Sequence, residues 1–304
     1  MVKFPTFPAI PANVTRAALS RMIRKNAPEI LRRSKVVTAR FPSGPMSLAG
    51  ESAKVNNDAK GVDQWLLSVV YLAPADESFA PDSGRTNCPA ASTCWRYQEG
   101  HRLLRDDSPS RSACLVNSGK MTLDSAKAAR GWRTALALGW RDAFWALLGL
   151  DVERLQRKAA KEGASVAIRL DGTSDLGLGD AAAERWPSVT FWDYTKVAGR
   201  LGRSKASNRH VTYSYDGTPE SARIAANYLE TGGTVSYVLA VSSKRVTAAD
   251  RPTSVTLDGR SFPTVSGDDT DARFMDPAGS VNLLSFKSVD GSQLPAAVAD
   301  GFAQ

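Results

Sequence analysis

The hydrophobic pattern changes character near residue 61. Before it, Leu19, Met22, Ile23, Ile30 and Leu31 form a helical stripe, interrupted near Pro28. After it, short apolar runs alternate with longer amphipathic ones. Strands are predicted at 65–72, 165–170, 189–194, 210–215, 234–241 and 281–286. Helices are predicted at about 122–138 and 141–162, near 179–186 and at 219–230, the second ending at Gly163, a common helix stop. Residues between 242 and 280 read as an irregular loop region. Strands alternating with helices predict an α/β fold with a parallel sheet, either open or closed as a barrel, behind a basic helical N-terminal extension. The expected organisation is a basic arm over 1–60, a barrel-like domain over 61–290 and a tail over 291–304.

Charge sharpens the division. The 304-residue chain carries a net charge of +8, and residues 1–60 hold 11 Lys and Arg against 3 acids. The remaining 28 basic and 28 acidic residues cancel. A basic amphipathic arm predicts contact with phosphate backbones, so nucleic acid is the expected partner of residues 1–60; a solvated extension covering one end of the body is the other reading. No apolar run approaches the ~18 residues a membrane-spanning helix requires, so no membrane partner is expected. The prolines near the N-terminus break any secretory core, and cytoplasmic is the expected location. Oligomeric state leaves no signal.

Polar residues recur just beyond the predicted strands: Asp76, Asp171 and Asp175, Asp193 and Lys196, Asp216, Ser242. Strand C-termini of a parallel sheet face one way, so these groups are expected on one rim. All three cysteines, Cys88, Cys94 and Cys114, lie in the polar stretch that follows the first strand. Three thiols suit a metal better than a disulfide framework: zinc, with His101 able to complete a Cys3His set, or an iron–sulfur cluster. Buried or incidental thiols are the competing reading. Asp171, Asp175, Asp193 and Asp216 are candidate Mg²⁺ ligands, and equally ordinary turn and cap residues. His101 and His210 are the only histidines, which disfavours His-dependent chemistry. No P-loop, G-x-G-x-x-G, G-x-S-x-G or H-E-x-x-H motif occurs.

The ordered set Leu72-Ala73-Pro74-Ala75-Asp76, Cys88-Pro89 with Cys94, Ser118-Gly119-Lys120-Met121, Asp171-Gly172-Thr173-Ser174-Asp175, Asp193-Tyr194-Thr195-Lys196 and His210-Val211-Thr212-Tyr213-Ser214 resembles a family of phage- and plasmid-encoded proteins. So do Gly267-Asp268-Asp269-Thr270-Asp271 and Arg273-Phe274-Met275-Asp276-Pro277. The resemblance spans roughly residues 65–290 and implies a mobile-element origin in a bacterial cytoplasm. In outline the chain also resembles radical-SAM enzymes, which implies a partial (β/α)6 TIM-like barrel with a three-cysteine loop after the first strand. That resemblance implies a [4Fe–4S] cluster on Cys88, Cys94 and Cys114 with S-adenosylmethionine as cofactor, zinc being the second choice. Asp171, Gly172 and Asp175 would line the cofactor position with Ser214 beside them, and Asp193 and Lys196 would be the catalytic residues. The spacing departs from the usual C-x3-C-x2-C: five residues separate Cys88 from Cys94, and 19 separate Cys94 from Cys114. The competing class is a non-catalytic nucleic-acid-binding protein used in phage or plasmid replication.

Overall fold

The computed structural model describes residues 6–50, 64–74, 77–79, 86–89, 97–98, 102–103, 119–242, 251–286, 294–299 and 303. Its frame is an eight-stranded, mostly parallel sheet. In chain order the strands are β1 (Trp65–Val69), β4 (Ser165–Arg169), β5 (Thr190–Thr195), β6 (Arg209–Ser214), β7 (Thr234–Ser242), β8 (Ser254–Leu257), β9 (Arg260–Ser266) and β10 (Val281–Phe286). Two short segments, β2 (Tyr97–Gln98) and β3 (Arg102–Leu103), pair only with each other. The sheet order is β1-β4-β5-β6-β7-β10-β9-β8, with every pair parallel except β8 and β9.

Six parallel strands therefore lie side by side in the order in which the chain makes them. With right-handed crossovers that always step the same way, the connecting helices are laid on one face. The helices α4 (Arg141–Glu162), α5 (Gly179–Arg185) and α6 (Pro219–Glu230) pack there against β1 and β4, β5 and β6, and β7 and β8 in turn. Strand alternation sends Leu66, Val166, Ile168, Phe191, Tyr213, Val235 and Leu283 into that layer. The opposite face carries Leu67, Val69, Ala167 and Trp192 beneath Ala272 and Phe274.

The sheet does not close. β1 and β8 are its two edges, and the run ends in an antiparallel hairpin that replaces the expected irregular loop. That hairpin turns on Asp258 and Gly259, both at positive φ (50° and 74°), the conformation a two-residue hairpin turn requires.

Residues 16–50 pack into the same core as the sheet. α1 (Arg16–Lys25) is N-capped by Thr15, and Pro28 sits in the first turn of α2 (Ala27–Ser34), where a missing N–H costs nothing. Leu19, Ile23 and Ile30 are fully buried against α4 and against α3 (Asp124–Gly139). Gly139 permits the α2–α3 approach, because a Cβ there would strike the Ile30 carbonyl. Gly50 then forms two backbone hydrogen bonds with Val69, covering part of the β1 edge. Four arginines of this region are engaged within the chain. Arg16 meets Asp151, Arg24 donates to the Pro42 and Gly44 carbonyls, and Arg32 and Arg33 both meet Glu29.

Asp151 is the anchor. Fully buried on α4, it accepts from Ser47 Oγ (2.7 Å), Leu48 N (2.7 Å) and Ala49 N (3.1 Å), and pairs with Arg16 at 2.8 Å. Asp151→Ala strands two buried N–H groups and a guanidinium, and is expected to cost about 3 kcal/mol. Urea unfolding of the variant checks this; a loss below about 1 kcal/mol would show that apolar packing alone holds residues 16–50.

Candidate functional site

The loops leaving β4, β5 and β6 are held together by carboxylates. β4 ends at Arg169, and the chain continues through the loop that carries Asp171, Gly172 and Asp175. Asp193 projects from β5 toward the helix layer. Its Oδ1 accepts from Leu170 N (3.0 Å) and Asp171 N (2.8 Å), which fixes where that loop begins. Asp171 then organises the loop from inside. Its Oδ1 accepts from Ser174 Oγ and Leu176 N, and its Oδ2 from Gly177 N and Leu178 N, at 2.6–3.2 Å. Asp175 accepts from Thr195 Oγ1 (3.0 Å), Lys196 N (3.1 Å) and the Arg200 guanidinium. Gly172 has a steric reason: a Cβ there would lie 2.7 Å from both Tyr71 Cδ1 and Val69 Cγ1.

Basic groups complete the network. Arg209 on β6 places Nη1 3.1 Å from Asp193 Oδ2, without the alignment of a hydrogen bond, and donates from Nε to Asp180 Oδ1 at 3.0 Å. Lys196 Nζ donates to the carbonyls of Ser214 (3.1 Å) and Tyr215 (3.4 Å), joining β5 to the end of β6. Burial pushes the Asp193 carboxyl up to about 7 despite the opposing pull of Arg209. Burial also raises Asp175, against Arg200. His210 is lowered, by burial first and by Arg209 second, and faces the opposite side of the sheet against Phe274.

Asp171, Asp175, Asp193 and Lys196 thus share one neighbourhood, Gly172 lies in the same loop, and Ser214 joins it only through its carbonyl, its side chain lying on the other face of the sheet. Asp216 stands apart as a turn residue, its Oδ1 accepting from Thr218 N and Oγ1 just before α6. Among the described residues no group of three or more His, Cys, Asp or Glu side chains is arranged to hold a metal ion. The carboxylates that suggested Mg²⁺ ligation are engaged with backbone N–H groups, hydroxyls and arginines instead. Of the cysteines, only Cys88 lies within the described residues; Cys94, Cys114, His101 and Asp76 lie outside them. Cys88 is half-buried and follows Asn87, a buried residue. The Asn87 carbonyl accepts from Asp175 N at 2.9 Å, and its side chain donates to the Ala73 carbonyl at 2.8 Å. The segment after β1 is therefore bonded directly to the loop after β4.

Sequence reasoning overlooked Asn87, Arg200 and Arg209. Arg209 was legible in principle: starting the strand one residue earlier puts it in phase with Val211 and Tyr213, a charge on a buried face that demands a partner. Asn87 and Arg200 lie in connecting segments and give no periodic signal.

The raised Asp193 carboxyl makes stability depend on pH. The folded state keeps this proton to higher pH than the unfolded chain, whose carboxyl titrates near 4. The stabilisation is complete below about pH 4 and is lost as pH rises through about 7. The stability of the native protein relative to Asp193→Asn is therefore expected to fall between pH 4 and 7.5 in chemical denaturation. A pH-independent difference would show that Arg209 keeps the carboxylate ionised throughout.

No curated protein and no solved structure matches the chain. Residues 46–300 match the model of the family described as Gene product 88, a span that begins at Met46, after α1 and α2. The chain belongs to the Gene product 88 family, a phage-type family.

Proposed function

We propose that this phage protein is an enzyme related in form to radical-SAM proteins, with its site at the C-terminal rim of the parallel strands. In this reading Cys88, Cys94 and Cys114 hold a [4Fe–4S] cluster, and the Asp171–Asp175 loop lines the S-adenosylmethionine position. The observation that carries it is the 2.9 Å hydrogen bond from Asp175 N to the Asn87 carbonyl. It sets the cysteine-bearing segment after the first strand directly against the acidic, Gly-containing loop after the second. What supports the form is strand order: β1, β4, β5, β6, β7 and β10 run parallel in the order in which the chain makes them, within an open sheet that continues into β9 and β8. Cys88, which follows Asn87 in the chain, would supply one soft donor, as a cluster or zinc requires.

When bound, such a cluster with S-adenosylmethionine supplies one-electron chemistry. The chain's own residues shape the place for it. Asp193 is a positioning residue: it lies beneath the rim and acts through the Leu170 and Asp171 N–H groups it holds. Asp171 fixes the turn that follows, and Arg200 with Thr195 holds Asp175 against β5. Lys196 keeps the ends of β5 and β6 in register through the Ser214 and Tyr215 carbonyls.

The test is metal content. Protein purified without oxygen is expected to carry about four iron and four sulfide per chain with a broad visible band, all lost in Cys88→Ala. Zinc in place of iron would overturn the cluster and leave a structural or hydrolytic metal site. A metal-free, stably folded protein would overturn the reading altogether.

A further inference from the structure

The face of the sheet opposite the crossover helices contains a second polar group, which owes nothing to the cysteines. Ser214, Ser236 and Asn282 are register partners across β6, β7 and β10, so three neighbouring strands present a polar row where a covered sheet face is ordinarily apolar. In the next row the hydroxyls of Thr212 and Thr234 lie 3.0 Å apart. Asn282 is 0% exposed, yet neither its amide nitrogen nor its amide oxygen has a hydrogen-bond partner.

Above this row runs the segment that follows β9. Gly267 N donates to the Leu283 carbonyl, next to Asn282, and the Arg273 guanidinium lies against Gly267, where a Cβ would come 3.2 Å from Nη1. The Arg273 side chain is 1% exposed. One of its nitrogens donates to the Thr270 carbonyl, while Nε and Nη1 have no hydrogen-bond partner. Asp276 Oδ2 is 3.4 Å from Nη1, an ion pair without a hydrogen bond. A buried guanidinium and a buried amide with three unmet donor nitrogens between them are costly.

We infer that the sheet face around Arg273 and Asn282 binds a small molecule through an oxyanion, a carboxylate or a phosphate. Arg273 supplies the charge, and Asn282 supplies a donor and an acceptor that orient the ligand. A guanidinium can be satisfied only by acceptors, and its planar fork matches two oxygens of one anionic group. Asp276, already beside the guanidinium, restricts the site to ligands able to displace it from Arg273. Half-buried Thr234, Tyr194 and Leu284 border the row, and Ser214 within it is also half-buried. The alternative occupant is water alone, which also bonds to stranded amides.

The experiment is a titration of the full chain, followed by NMR at the Arg273 Nε–H and Asn282 side-chain amide signals. Inorganic phosphate and acetate are added separately at constant ionic strength, with chloride as control. Saturable shifts of both signals are expected from at least one of the two anions. Saturation by phosphate alone assigns a phosphate ester, by acetate alone a carboxylate, and by both the shared oxyanion chemistry. Asn282→Asp, which adds a like charge, is expected to weaken binding about tenfold or more. Non-saturable shifts equal to those with chloride would overturn the inference and leave these groups hydrated. Saturation unchanged in both Asn282→Asp and Arg273→Lys would overturn it too, by placing the anion elsewhere. Should either variant fail to fold, the signals of the native protein still decide. None of these readings depends on metal content, so the inference and the cluster proposal stand or fall separately.

Discussion

A single buried carboxylate, Asp193, governs how the rim is built. It sits 3% exposed on the fifth strand, where desolvation alone would disfavour its charge. Two backbone N–H groups from the neighbouring β4 exit and a guanidinium from β6 offset part of that cost. The β4 exit would otherwise leave those N–H groups buried without partners, so the carboxylate and the loop each need the other. The consequences run in series. With Leu170 and Asp171 fixed, the Asp171 side chain reaches the four groups from Ser174 to Leu178, and those residues lead into α5. Arg209, drawn to Asp193 from β6, reaches Asp180 in the first turn of that helix. One helix is thus tied to three strands through three carboxylates and one arginine.

The two faces of the sheet divide the labour. The face under the crossover helices is apolar apart from this network, and its packing supplies most of the cohesion. The other face begins apolar at β1 and β4, where Phe274 rests on Trp65 and Trp192, and turns polar across β6, β7 and β10. Arg169 bridges the change, its guanidinium 4.5 Å above the Tyr194 ring. Burial pushes the Tyr194 hydroxyl up to about 12, with Arg273, Asp271, Arg169 and Asp276 all close enough to bear on it. The Asp-Tyr-Thr-Lys motif therefore serves both faces: Asp193 and Thr195 look toward the helices, and Tyr194 looks away.

How much of this was readable follows from which interactions are periodic. The six parallel strands and the crossover helices announced themselves because β1 and β4 are apolar runs and β6 alternates apolar with polar residues, while the helices keep a longer period. The β8–β9 hairpin escaped as an irregular stretch. Even so, Ser254-Val255-Thr256-Leu257-Asp258-Gly259-Arg260-Ser261-Phe262 carries alternation on either side of Asp-Gly, the strongest short-range hairpin signal. Placing polar residues on one rim needed only strand direction, so Asp171, Asp175, Asp193 and Lys196 were found together. Their partners were not, because Arg200 and Asn87 are brought in by loops whose path no pattern encodes. The basic excess of residues 1–60 shows a different limit: charge counts cannot tell that Arg16 is fixed by a carboxylate 135 positions away on α4.

Acid density proved a poorer guide to chemistry than the state of each polar atom. The Asp171–Asp175 loop is rich in carboxylates, yet Asp171 has both oxygens doubly engaged, and such a residue builds structure whatever else it does. Asn282 and Arg273 gave no chemical signal in the sequence and carry buried atoms without partners. Desolvation acts equally on both sets, so the difference lies in what the fold offers each. At the rim, loop backbone folds back to meet the carboxylates. Across β6, β7 and β10 the backbone is committed to the sheet ladder and has no N–H or carbonyl left to offer. Side chains on that face can be satisfied only by one another or by something that arrives from outside, which is why an anion is sought there, while the rim carboxylates hold the loops that frame the proposed cofactor position.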